Sequence, residues 1–88
     1  MTKIRILLNI TIESRDLDEI ARELAALPFV MDLYEITGES DIVLVLEAEN
    51  VIDFRNMLKN QILCVKGVKT TVSSVVMYVH KRDGKRVD

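Results

Sequence analysis

Between Lys3 and Ile12 the apolar side chains fall on every second position: Ile4, Ile6, Leu8, Ile10 and Ile12. A period of two puts all five on one face of a strand. At Asp16 the period changes. Asp16 and Glu19 have the spacing of a capping box, and Leu17, Ile20, Ala21, Leu24 and Leu27 follow at steps of three and four. That predicts an amphipathic helix of about three turns, ended by Pro28. Val30 to Thr37 is rich in β-formers and reads as a second strand, Gly38-Glu39-Ser40-Asp41 as a turn, and Ile42 to Glu47 as a third strand. So short a connection makes the two strands an antiparallel hairpin. Asn50 can cap a second helix, with the stripe Val51, Phe54, Leu58 and Ile62 and with Met57 beside it. After Gly67, Lys69 to His80 reads as one long fourth strand.

The predicted order is β-α-β-β-α-β, and the two halves repeat one plan. Right-handed crossovers on that order give an α+β, ferredoxin-like fold: a four-stranded antiparallel sheet with both helices on one face. Residues 1–80 make a single domain and 81–88 a basic C-terminal tail. A sheet covered on one face only should be polar on the other. Here Ile42 to Leu46 is apolar on both faces, Leu7 adds to the second face, and Val75, Met77 and Val79 supplement Val72, Val76 and Tyr78. Apolar patches beyond a few hundred Å² usually mark an interface. The expectation is a homodimer that closes sheet on sheet, a dimeric α/β barrel, through Leu7, Val43, Val45, Val75 and Met77.

Composition narrows the function. Hydrophobic residues make up 49% of the 88, and no apolar run approaches the 20 or so residues of a spanning helix. The first residues lack the apolar core of a signal peptide, so the chain is expected to be cytoplasmic and to have no membrane partner. The single Cys64 has no internal disulfide partner, and within Ile62-Leu63-Cys64-Val65 it reads as a buried small hydrophobe. One Cys and one His do not make a usual structural zinc site. Eight acids lie between Glu23 and Asp53, with no Lys or Arg between Arg22 and Arg55. Residues 1–80 carry twelve acids against eight bases, and the tail four bases against two acids. Nucleic-acid modules need a basic face; this body has the opposite sign, and direct DNA binding is not expected.

Catalytic patterns are thin. His80 is a lone imidazole at a strand end, no nucleophile elbow or metal-binding helix is present, and three glycines form no phosphate loop. No enzyme activity and no cofactor are expected. Two groups of residues remain. The turn Gly38-Glu39-Ser40-Asp41 is either a hairpin turn chosen for its backbone angles or a site whose carboxylates hold an ammonium group. Thr70, Thr71, Ser73 and Ser74 are either strand filler or hydroxyls for the other end of a small zwitterion.

The stretch from Val30 to Leu44, with Thr37-Gly38-Glu39-Ser40-Asp41 at its centre, resembles the hairpin of the effector-binding (RAM-type) domain of Lrp/AsnC transcription regulators. Gly67 to Val76 is similar to the family's Gly-Val followed by Thr-x-Thr, with Thr71 at the first hydroxyl and Ser73 in place of the second Thr. The resemblance implies a sheet-to-sheet dimer, rings of dimers, and an amino acid or related metabolite bound between dimers. Carried over by position, it implicates Gly38, Glu39, Ser40, Asp41, Thr71 and Ser73. Full-length members carry a helix-turn-helix before this domain, whereas here the first strand begins at residue 3. The expectation is a stand-alone sensing and assembly module that modulates a full-length regulator of its family. The competing expectations are an ACT-like regulatory domain, which pairs sheets edge to edge, and a small dimeric α/β-barrel enzyme, which needs a roomy pocket between sheet and helices.

Overall fold

A computed structural model describes residues 3–13 and 16–87. Four strands, β1 (Ile4–Ile12), β2 (Val30–Glu35), β3 (Ile42–Ala48) and β4 (Val68–Val75), form one sheet in the order β2-β3-β1-β4, antiparallel throughout. Two helices, α1 (Leu17–Ala25) and α2 (Val51–Met57), separate them in the chain. The β-α-β-β-α-β order and the ferredoxin-like fold are as expected.

The caps form as read. Asp16 Oδ1 accepts the Glu19 N–H at 3.1 Å, and Asn50 Oδ1 accepts the Asp53 N–H at 2.8 Å. Each satisfies a donor that an open helix end would leave free. α1 ends at Ala25, three residues before Pro28, with its cap N–H bonded back to the Arg22 carbonyl. α2 passes into a π-helical turn, Leu58–Ile62, in which the Leu63 N–H reaches the Leu58 carbonyl at 2.8 Å. The cause lies in the stripe. Phe54, Leu58 and Ile62 are spaced by fours, and two such steps drift about 80° around a helix of 3.6 residues per turn. The wider turn absorbs the drift and keeps Ile62 fully buried. Val51, read as the start of that stripe, is instead exposed.

The core is the helix-covered face of the two central strands. Ile6, Leu8 and Ile10 of β1 and Ile42, Leu44 and Leu46 of β3 are all fully buried against Ile20, Leu24, Phe54 and Ile62. Cys64 is exposed, not buried, and its thiol donates to the Asn60 carbonyl at 3.1 Å. At the end of the π turn and just beyond it, Ile62 and Val65 are buried while Leu63 and Cys64 between them are exposed.

The last strand is shorter than the sequence suggested. β4 stops at Val75, and residues 76–80 are irregular. Lys81–Arg82 and Lys85–Arg86 then pair as β5 and β6 in a separate two-stranded hairpin. Residues directly opposite in an antiparallel pair share a face. Val75 stands opposite Ile6, Ser73 opposite Leu8 and Thr71 opposite Ile10, so the odd positions of β4 lie on the helix side. Thr70, Val72 and Ser74 lie on the open side with Thr11, Asn9 and Leu7. Val75 therefore does not belong to the open face, and Met77 lies beyond the strand. The run Val75 to Val79 is apolar at both parities and lies at the end of an edge strand, so its alternation carries no face information.

Candidate functional site

The connection between β2 and β3 is built around one aspartate. The Ile36 N–H donates to the Asp41 carbonyl at 2.9 Å and closes the loop. The Asp41 N–H donates to the Ile10 carbonyl, and Asp41 Oδ2 accepts the Ile12 N–H, each at 2.9 Å. β3 begins only at Ile42, opposite Ile10, so beyond the end of that ladder the Asp41 side chain supplies the acceptor for Ile12. Gly38 has φ +111°, with open space where a Cβ would stand. Its requirement is conformational rather than steric. Glu39 is exposed, while Ser40 and Asp41 are half-buried. Asp41 uses one of its roughly four acceptor positions on Ile12, which leaves others for a ligand.

Thr71 lies at the same end of the sheet. Ile10 pairs with Ile42 on one side and with Thr71 on the other. β1 thus stands between the loop and the hydroxyls, and two interstrand spacings separate β3 from β4, about 9.5 Å. Ser73 is one further step in, opposite Leu8, and exposed. The structure brings Gly38, Glu39, Ser40, Asp41 and Thr71 to one end of the sheet, on two sides of β1, and leaves Ser73 opposite the middle of that strand.

That end also holds a feature the linear sequence did not show. An open cleft of about 710 Å³ is lined by Glu13, Glu19 and Glu23 together with Lys66 and Lys69. Gly67 sits in its wall at φ +102°, where a Cβ would come within 2.6 Å of Ile20 Cδ1, and its carbonyl accepts the Glu13 N–H at 2.8 Å. The cleft draws on three separate segments, so no local motif announces it. On the open face at the opposite end, Arg5 and Glu47 stand directly across from one another and pair at 2.7 Å. The hydrogen bond from Arg5 holds the Glu47 carboxyl below its ordinary range. Among the described residues no group of three or more His, Cys, Asp or Glu is arranged to hold a metal, and no helix is long and apolar enough to cross a membrane.

The chain is thus a ferredoxin-like sheet with helices on one face and an aspartate-fixed loop at one end. Residues 5–86 match the family model of the Lrp/AsnC ligand binding domain, and the chain belongs to that family. It is 32% identical over 77 residues to an uncharacterized HTH-type transcriptional regulator of Pyrococcus abyssi, covering 88% of this chain and 52% of the relative. The chain spans about half the length of the curated regulators it matches. A second kind of relative is the homocitrate synthase of Sulfurisphaera tokodaii, 34% identical over 58 residues, which is 66% of this chain and 12% of that enzyme. Among solved structures, a transcriptional regulator of Neisseria meningitidis in complex with L-Met superposes with a TM-score of 0.80 at 20% identity, over 90% of this chain and 53% of that one.

Proposed function

We propose that this chain is a sensing and assembly module that binds an amino acid or a related small metabolite between copies of itself. The observation that carries the reading is the match of residues 5–86 to a ligand-binding domain family. Asp41 and Glu39 take the ammonium end of the ligand, with Ser40 beside them. Backbone amides around Gly38 and the hydroxyls of Thr71 and Ser73 take the carboxylate end. The distance from loop to β4 exceeds the separation of the two ends of an α-amino acid. That supports a site completed by a neighbouring copy, in a homodimer and a higher ring of dimers. The open face, with Leu7 still 39% exposed beside Val43 and Val45, is the dimer surface.

The module acts without touching DNA itself, because the acidic body cannot displace counterions from phosphates. A full-length regulator of the same family is its partner by mixed assembly, and its compartment is the cytoplasm. The enzyme reading is disfavoured by the space between sheet and helices, which fully buried Ile and Leu side chains fill. The match to homocitrate synthase covers only an eighth or so of that enzyme, which fits an accessory module better than a catalytic one. The ACT-like reading requires edge-to-edge pairing and leaves the apolar open face in water.

A thermal-shift screen of the twenty amino acids, coupled to mass measurement in solution, tests the proposal. A ligand at a hundredfold excess over its Kd stabilises the native state by about 2.7 kcal/mol. The expected result is one chemically related subset of amino acids that raises the melting temperature of an oligomer. No shift with any of the twenty removes the sensing reading, and a monomer at every concentration removes the assembly reading.

A further inference from the structure

We propose that Asn9 sets the register of the sheet-to-sheet dimer, its carboxamide pairing with that of its own counterpart in the second copy across the two-fold axis. The proposal rests on the dimer reading above and names what fixes its geometry. Asn9 lies in the middle of β1, opposite Val43 on one side and Val72 on the other. Residues directly opposite share a face, so all three lie on the open side, with Leu7 and Val45 one step along. Asn9 is thus a single amide set among Leu7, Val43 and Val72. It is half-buried, and its side chain makes no hydrogen bond among the described residues. Water serves the amide in a lone chain. Under a second sheet it loses that water, and a buried donor or acceptor left unmade is costly. Valine and leucine on the facing copy offer it nothing.

The shape of the open face selects the partner. At its Arg5 end, Arg5 and Glu47 line one cleft together with Val76, Tyr78 and Arg82 of the same chain. The surface left for a second sheet therefore runs along β1 from Leu7 to Thr11, and Asn9 is its middle position. In a two-fold dimer the same surface meets itself. An axis lying between the sheets and crossing the strands at this level sets Leu7 over Thr11 and Asn9 over Asn9. An axis running along the strands between β1 and β3 sets Asn9 over Val43 instead and leaves an amide unmet on each copy. A carboxamide carries both donors and an acceptor, so two of them facing one another exchange reciprocal hydrogen bonds. Sheets packed face to face lie about 10 Å apart, a gap that two opposed carboxamides and an N–H···O bond of about 2.9 Å between them can span. A single buried Asn fixes register in the same way between coiled-coil helices, at a cost in stability.

A residue that meets only its own counterpart is tested with opposite charges on the full chain. Asn9→Asp and Asn9→Lys, each alone, set like charges face to face and are expected to weaken the dimer at least about tenfold in sedimentation equilibrium at pH 7. Circular dichroism should report a folded monomer in both. An equimolar mixture of the two should assemble to within about threefold of the wild type, as a mixed dimer. Either charged chain dimerising alone like the wild type overturns the proposal. So does a mixture that stays dissociated, which would bury Asn9 in the contact without setting it over itself. A second measurement uses no charge and decides the matter if the charged chains do not fold. Asn9→Leu mixed with isotope-labelled wild type should sort into like pairs in native mass spectrometry, because a mixed dimer leaves one amide unpaired. Mixed dimers at the statistical proportion overturn the amide pair while leaving the sheet interface standing. A wild type that stays monomeric at every concentration removes both readings together.

Discussion

The two faces of one sheet are made by the same strands, and they differ in where their cover comes from. On β1 and β3 the even positions from Ile6 to Ile10 and from Ile42 to Leu46 are fully buried by helices of the same chain. The odd positions alternate with them: Leu7, Val43 and Val45 are equally apolar in kind but only partly covered, with the Arg5–Glu47 pair at their border. Period-two alternation with apolar residues at both parities specifies a strand that is to be buried twice. One burial comes with folding. On the proposed reading the other comes with association, and the difference between the faces then separates stability from assembly.

The largest effect should come from breaking the covered face. Leu44→Ala removes a fully buried side chain from the centre of the core, and large-to-small changes of this kind cost about 2–5 kcal/mol. Denaturant titration at several protein concentrations should show that loss at all of them. A cost well under 1 kcal/mol would mean that this face is not the core. Val45→Asp, one residue along, breaks the other face. Paired with a neighbouring apolar surface, an unpartnered carboxylate is strongly unfavourable, so the oligomer should dissociate while the helical circular-dichroism signal of the folded monomer persists. A soluble Val45→Asp protein of unchanged mass in solution would count against the open face as an interface.

The covered face was legible in the sequence because its signals agreed: alternation in Ile4 to Ile12, Asp16 and Asn50 at cap spacing, and Gly38 where φ is positive. What could not be read were features set by neighbours. Val75 and Met77 sat in a run apolar at both parities, so only the register with Ile6 shows which side Val75 takes. The end of β4 was hidden for the same reason, since Val76 to Val79 has strand propensity, yet pairing with β1 goes no further than the Val76 N–H on the Arg5 carbonyl. Cys64 shared an apolar tetrapeptide with Ile62, yet the turn of chain between them sends it outward. At the site, residue types were legible and spatial relations were not. Nothing local shows that Asp41 bonds Ile12, or that β1 lies between Asp41 and Thr71.

A smaller effect sharpens the contrast between fold and function at the loop. Asp41 holds the Ile12 N–H and, on the proposed reading, also supplies the charge that meets the ligand. Asp41→Asn keeps an oxygen for the Ile12 N–H and removes the charge. Losing a charge-assisted hydrogen bond contributes about 1.5–3 kcal/mol, so calorimetry on whichever amino acid binds should show at least about tenfold weaker affinity with a nearly unchanged melting temperature. Equal affinity would place the ligand elsewhere; a large fall in melting temperature would make Asp41 a structural clamp first.

The smallest expected effect lies at the border of the open face. Glu47 has its carboxyl lowered from the ordinary value of 4.5, first by the hydrogen bond from Arg5 and then by the charges of Arg5, Lys3 and Arg82, against a partial opposing effect of burial. A carboxyl that titrates lower in the folded chain than in the unfolded one binds fewer protons when folded. Its contribution to stability is therefore complete above the unfolded value near 4.5 and disappears as pH falls through the lower, folded value. Glu47→Gln should lower the melting temperature slightly at pH 7, and the difference from the wild type should close as the pH is taken below about 4.5. The pair is part-exposed, with side-chain exposures of 29% and 30%, so solvent screening keeps the effect small in an isolated chain. If the open face is covered in the oligomer, the same pair loses water on association. The pH dependence of Glu47→Gln should then be steeper at concentrations where the protein is assembled than where Val45→Asp holds it monomeric. Identical pH profiles in the two backgrounds would place Glu47 outside the interface.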